Sequence, residues 1–358
     1  MSLPALAQTS FSVSFDKSIR DQAATGRIVV YLVKDGSQVS ATEAPSSGPF
    51  WDDPQPLYGV DVTSLSPGTT AKVDDSATSF PRKLSALPQA RYRVQAVLDL
   101  HHDNSDWKHE PGNLYSDTKT VTIGATDGPV VVELTLNHAV GPRPLPTVAG
   151  VEWFEIRSAL LSNFHKRDIM LRAGVVLPVG YEAAAEQRYA AIYEVPGYGG
   201  DHRGAARQAG AYRSAPPASP TGILARNCFW IVLDPESGNG HTLFADSANN
   251  GPCGEALVKE LIPALEAKYR LRTDPRARLL RGHSSGGWST LWLALRYPET
   301  FGATWSTSPD PVDFRKFQTP DIYADGNMYG APAHADNSGL TPHPSYRVGN
   351  EPRMSIAQ

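Results

Sequence analysis

The run Arg281-Gly282-His283-Ser284-Ser285-Gly286-Gly287-Trp288 sets one hydroxyl between glycines in the spacing Gly-x-Ser-x-Gly. A serine so placed does chemistry when a strand hands over to a helix too sharply for ordinary backbone. The strained bend, a nucleophile elbow, lifts Oγ above the edge of a sheet. The glycines are steric requirements of that bend. Side chains at Gly282 or Gly286 would strike the neighbouring strand or helix, and Gly287 lets the helix lie close to the sheet. Ser284 is therefore the expected nucleophile. Ser285 is off the centre of the pattern, and its backbone N–H is an expected donor to an oxyanion.

Because Gly-x-Ser-x-Gly also arises by chance, its flanks decide what it means. Ala277, Leu279 and Leu280 ahead of it read as a buried strand, and residues 288–297 read as a helix stopped by Pro298. A second feature belongs with it. The strand-like residues 189–195 run into Pro196-Gly197-Tyr198-Gly199-Gly200-Asp201, a glycine-rich turn of the kind that carries the other half of an oxyanion hole. The Tyr198 N–H is the candidate second donor, against the plainer reading of a tight turn.

The rest of the chain must position these groups. Its 358 residues, 41% of them hydrophobic, leave room for two domains. With 33 basic against 37 acidic residues, net charge −4, the chain offers no large positive field for nucleic acid. No apolar run reaches the length of a membrane span. The start is expected to be a signal-peptide remnant or disordered over residues 1–9, since Ala5-Leu6-Ala7 before Gln8 reads as a signal-peptidase site. Export to the periplasm or the exterior is the corresponding expectation.

Residues 10–137 read as an all-β sandwich domain. Phe11, Val13 and Phe15 alternate, and apolar runs recur at 28–33, 92–98, 121–123 and 130–136 between clusters of Pro, Gly, Ser and Asp. Within it Asp99-Leu100-His101-His102-Asp103-Asn104-Ser105-Asp106 has the right atoms for a metal. It lacks the glycine-assisted turn and the spaced bidentate carboxylate of a calcium loop, so a polar loop is the better reading. Residues 138–150, with Pro142, Pro144 and Pro146, form a stiff linker.

Residues 151–358 then alternate strand and helix, the mark of a mostly parallel sheet. Strands are expected at 168–178, 189–195 and 229–233, with a helical piece between 202 and 222. The long loop 234–252 is expected to wall a substrate pocket. In the helix 255–269, Leu257, Leu261, Leu265 and Tyr269 share one face, and Pro263 kinks or interrupts it. The two cysteines, Cys228 and Cys253, flank a strand of roughly 17 Å, beyond disulfide reach, and are expected as free, partly buried thiols.

From about residue 168 to 314 the chain resembles the putative-esterase branch of the α/β hydrolases, which takes in esterase D, feruloyl esterases, enterochelin esterases and the mycolyltransferases. The likeness is carried by Leu177-Pro178-x-Gly180-Tyr181, Gly197-Tyr198-Gly199-Gly200, Glu260-Leu261-Ile262-Pro263-Ala264-Leu265-Glu266 and Gly282-His283-Ser284-Ser285-Gly286-Gly287. Tyr297-Pro298-Glu299-x-Phe301-Gly302-Ala303 and Ser308-Pro309 complete it. The resemblance implies an α/β-hydrolase fold and a serine carboxylic-ester hydrolase working through an acyl-enzyme. The substrate would be a small-molecule or polysaccharide-linked ester, with no metal or organic cofactor.

Such a fold delivers an acid and then a histidine on two further strands. After Phe314 the sequence turns rich in Pro, Gly, Asn and Asp, and no strand-like run follows. Asp310, Asp313, Asp325, His334 and His343 are chemically suitable but read as loop residues. His202 reads as a surface residue near the oxyanion turn, and His283 as packed beneath the elbow. The expectation is a fragment whose hydrolase domain is incomplete, lacking its last strands, with the triad acid and histidine beyond Gln358. Two rivals stand beside ester hydrolysis: acyl transfer at the same site, and a non-catalytic relic in which the β domain binds polysaccharide.

Overall fold

The computed structural model describes residues 9–313 other than 49, 51, 52, 54, 102, 125–128, 184 and 185, together with 315 and 323. Ala5-Leu6-Ala7-Gln8, His102, Asp325, His334 and His343 lie outside the described residues. Among the described residues no helix is long and apolar enough to cross a membrane. The described residues form two compact units, one running up to Arg143 and the other comprising Pro144–Val312.

The first unit is largely strands: β1 (Thr9–Phe15), β2 (Ala24–Lys34), β3 (Leu57–Leu65), β4 (Thr70–Val73), β5 (Thr78–Phe80), β6 (Ala90–Asp99), β7 (Leu114–Ser116), β8 (Lys119–Ile123) and β9 (Val130–Ala139). They join in one hydrogen-bonded network of order β4-β1-β9-β7-β6-β2-β3-β5, with β8 also on β6. Alternate residues build its core: Phe11, Val13 and Phe15 of β1, Ile28, Val30 and Leu32 of β2, Val94, Ala96 and Leu98 of β6, and Leu134 and Leu136 of β9. The opposite face of β2, Val29 and Tyr31, packs with Leu57, Phe80, Val97 and Trp107. Burial on both faces is why β2 reads as an unbroken apolar run.

The second unit opens with β10 (Val151–Arg157), α1 (Ala159–His165), β11 (Met170–Val176), β12 (Ala190–Val195), α2 (Ala205–Ser214), α3 (Pro220–Asn227) and β13 (Cys228–Leu233). Two small hairpins follow, β14 (Glu236–Ser237) with β15 (Gly240–His241), and β16 (Asp246–Ser247) with β17 (Gly251–Pro252). Then come α4 (Cys253–Ala256), α5 (Ile262–Lys268), β18 (Arg278–His283), α6 (Ser285–Arg296) and β19 (Ala303–Thr307). The main sheet has the order β10-β11-β13-β12-β18-β19. β11 runs antiparallel to both of its neighbours, β10 and β13, and β13, β12, β18 and β19 run parallel. This is an α/β-hydrolase-like arrangement.

Helices cover both faces of that sheet. Along β13, Phe229, Ile231 and Leu233 join the cluster that includes α5 and α6, while Cys228, Trp230 and Val232 join Ala205, Ala209, Tyr212 and Ala225 of α2 and α3. Leu257, Leu261, Leu265 and Tyr269 are all buried on one side, each aliphatic side chain contributing about 1.5–3 kcal/mol. The interruption at Pro263 takes a specific form. Residues Leu257–Leu261 wind as a π-helical turn that shifts the hydrogen-bond register just ahead of the proline. β10 and α1 were not anticipated: β10 is only partly buried, and its Glu152, Glu155 and Arg157 hide its strand pattern.

Candidate active site

Ser284 stands between β18 and α6 with φ 57° and ψ −128°, a conformation that residues other than glycine rarely adopt. Main-chain bonds pin it there. Its N–H donates to the Thr307 carbonyl at 3.1 Å, and its carbonyl accepts from the Trp288 N–H at 3.1 Å. The glycines leave no space for side chains. A Cβ on Gly282 would lie 2.0 Å from the Gly286 oxygen, one on Gly286 would lie 2.0 Å from the Val195 oxygen, and one on Gly287 would lie 2.8 Å from the Thr307 oxygen. Each conflict is with backbone, so no rotamer change relieves it. The Ser284 side chain is partly exposed.

The glycine-rich turn after β12 lies against this bend. A Cβ on Gly197 would come 3.1 Å from the His283 oxygen and 3.5 Å from Ser284 Cβ. Gly200 N–H donates to the Gly197 carbonyl at 3.0 Å, and Gly199 has φ 76°, so residues 197–200 form a turn whose third position needs a glycine. Tyr198 occupies the second position, its side chain 53% exposed. Among the described residues no main-chain carbonyl takes up its N–H. Ser285 opens α6, so its N–H is one of those without an acceptor inside the helix.

Asp310, which reads as a loop residue in the sequence, sits at the elbow: Ser285 Oγ–H donates to its Oδ2 at 2.7 Å. Past β19 the chain turns at Ser308, φ 41°, and returns toward α6. Asp313 instead accepts the Arg315 N–H at 2.9 Å, an ordinary loop contact.

The histidines depart from expectation. His202 is buried at 4% exposure, not on the surface. Its Nδ1 lies 2.9 Å from Asp234 Oδ2, without the alignment of a hydrogen bond, and its ring meets Trp153 edge-on at 5.7 Å. Its carbonyl oxygen lies 2.4 Å from where a Gly174 Cβ would be, so it belongs to the β11 end of the sheet. That end is three strand spacings, about 14 Å, from β18. His283 is exposed rather than packed beneath the turn, because strand alternation turns its neighbour Gly282 toward the helix. Its Nδ1 is 3.1 Å from Thr307 Oγ1. His165 Nε2 meets the Asn250 oxygen at 3.2 Å. Among the described residues no imidazole is bonded to the Ser284 hydroxyl.

His241, in no motif of the sequence, lies beside the site, with Nε2 2.9 Å from the Pro196 oxygen and Nδ1 accepting the Leu243 N–H at 2.9 Å. Burial lowers its pKa from 6.5, against opposing pulls from the Pro196 carbonyl, Asp310 and Asp234. Nothing in the sequence marks this, because it depends on the 234–252 loop folding back across β12.

Both cysteines are free and buried. Burial pushes the Cys253 thiol up to about 12, so it supplies no thiolate near neutral pH. In the loop weighed as a metal site, Asp99 accepts from Asn113 Nδ2 at 2.8 Å and Asp106 caps the short turn at Lys108. Among the described residues no group of three or more His, Cys, Asp or Glu side chains converges to hold a metal.

Residues 170–338 match the Esterase family, described as Putative esterase. No curated protein matches the chain in sequence. Among solved structures the chain is similar to a ferulic acid esterase, at 17% identity over 44% of this chain and 60% of that one, TM-score 0.36. It is similar to an S-formylglutathione hydrolase from Agrobacterium tumefaciens, at 16% identity over 46% and 60%, TM-score 0.36. A third likeness is to a fluorophosphonate-binding serine hydrolase of Staphylococcus aureus, at 14% identity over 56% and 73%, TM-score 0.34. The chain thus spans 60% of the length of the first two.

Proposed function

We propose, taking residues 170–338 as a member of that esterase family, that the protein hydrolyses a carboxylic ester through an acyl-enzyme on Ser284. Ser284 Oγ attacks the ester carbonyl carbon, forming the C–O bond of a tetrahedral intermediate. The serine proton passes through a general base, drawn from outside the described residues, to the departing alkoxide as the carbonyl–alkoxy bond breaks. Water then attacks the acyl-serine, releasing the acid and restoring the hydroxyl. The Ser285 and Tyr198 N–H groups face the negative charge that develops on the carbonyl oxygen and are stronger there than in water.

The observation that carries the reading is the φ 57°, ψ −128° backbone of Ser284 beside the 197–200 turn. Strain of this kind costs about 1–3 kcal/mol and clusters where chemistry is done. Treatment with a fluorophosphonate probe and peptide mapping tests it. Label is expected on Ser284, and none on the Ser284→Ala protein. Absence of label on the wild type, or label elsewhere, overturns the assignment. The same acyl-enzyme serves transfer when an alcohol replaces water, so products are analysed with and without a sugar acceptor.

A further inference from the structure

The loop of residues 234–252 leaves the main sheet and returns across the end of β12. Its β14–β15 hairpin ends on His241, which is 8% exposed. Both ring nitrogens are committed to main chain. A backbone N–H only donates and a carbonyl only accepts, so the bonds to Leu243 and Pro196 admit one arrangement: a neutral ring with its proton on Nε2. The desolvation already described favours the same neutral form. No nitrogen is left to take a proton from Ser284, so His241 is not the base.

What it grips is the approach to the oxyanion turn. A Cβ on Gly286 would lie 2.7 Å from the Pro196 oxygen, so that carbonyl is held between His241 and the first turn of α6. One residue earlier in the hairpin, a Cβ on Gly240 would lie 2.6 Å from Tyr198 Cε2, so the Tyr198 ring rests on Gly240. Adjacent residues of the hairpin thus hold Pro196 and Tyr198, on either side of Gly197. The loop is itself under strain. Leu243 and Phe244, with φ 58° and 46°, are consecutive non-glycine residues in the left-handed region. Such backbone persists only where its surroundings over-determine it, and Phe244 is 2% exposed.

We propose that His241 is a positioning residue whose Nε2–H fixes the Pro196 carbonyl, and through it the Tyr198 N–H, at the oxyanion site beside Ser284. This rests on the ester-hydrolysis reading, so its test has one arm that does not. Nitrogen-15 NMR of the ring at pH 7 should show Nε2 protonated and Nδ1 bare. A Nδ1–H ring or a charged one overturns the proposal whatever the activity.

In the second arm, the rate of fluorophosphonate labelling at Ser284 should fall about 10- to 100-fold in His241→Ala, the scale of a misplaced catalytic group. His241→Gln, whose amide N–H can reach Pro196, should recover most of it. With a small nitrophenyl ester, kcat should fall and KM stay near its wild-type value. Two folded variants labelled equally slowly, or an Ala variant labelled at the wild-type rate, overturn the proposal. A wild type that takes no label while its ring shows Nε2–H overturns the ester reading and leaves the clamp standing.

Discussion

Exchanging Ser284 for glycine and, separately, for alanine turns the bend at the elbow into a stability measurement. At φ 57° and ψ −128° any Cβ is crowded by its own backbone, and the strain is about 1–3 kcal/mol. Alanine keeps the Cβ and keeps the strain. Glycine removes it but gives the unfolded chain more freedom, which costs about 0.4–1 kcal/mol. The two main-chain bonds, to the Thr307 carbonyl and from the Trp288 N–H, survive both changes. Ser284→Gly should therefore be more stable than Ser284→Ala by about 0.5–2 kcal/mol. At an ordinary helical position glycine is the less stable by about 0.5–1 kcal/mol, so the sign itself is the test. Urea unfolding followed by tryptophan fluorescence reads it, through Trp153, Trp230, Trp288, Trp292 and Trp305 of the second unit. The comparison uses midpoints at a common slope. A glycine variant no more stable than the alanine variant would refute the claim of strain.

The ion pair between Arg278 of β18 and Glu266 of α5 is bidentate, at 2.6 and 3.0 Å, with side chains 13% and 10% exposed. Glu266→Ala leaves the guanidinium buried without its partner and should cost about 3–5 kcal/mol in urea unfolding, and a loss near zero would count against the pair. In the first unit, desolvation and then the charge of Asp99 raise the Glu110 pKa from 4.5 to about 7. The folded state then holds a proton that the unfolded state has released. Stability is fully present below pH 4.5 and is lost as pH rises through about 7, by about 3 kcal/mol. Unfolding midpoints between pH 4 and 8 should show that decline in the wild type and lose it in Glu110→Gln; identical profiles would contradict the assignment.

Legibility in the sequence followed burial. Strands covered on both faces, such as β2 and β13, read as unbroken apolar runs, and the Leu257, Leu261, Leu265 stripe read as a buried helix face because each residue meets the same layer. β10 carries no legible strand pattern, because its edge position lets Glu152, Glu155 and Arg157 break up the run of Trp153, Phe154 and Ile156. Nor does β3, because half of it faces solvent. The π-helical turn before Pro263 could not be read, since a proline says that the helix must yield and not how.

The residues alone determined the bend at 284 and the turn at 197–200, because each needs glycine at particular places: side chains at 282, 286 and 287 would collide with backbone, and Gly199 has a positive φ. A close backbone approach or a positive φ leaves its mark as a glycine wherever it occurs, whether the backbone approached is near in the chain, as Gly286 is to Gly282, or far, as Val195 is to Gly286. Only the tertiary structure decided that the two bends touch, that Asp310 comes back to Ser285, that His202 is buried away from Ser284, and that His241 takes the Pro196 carbonyl. Those pairings join residues far apart along the chain. They depend on strand order and on the path of a long loop, and neither leaves a mark on local composition or spacing.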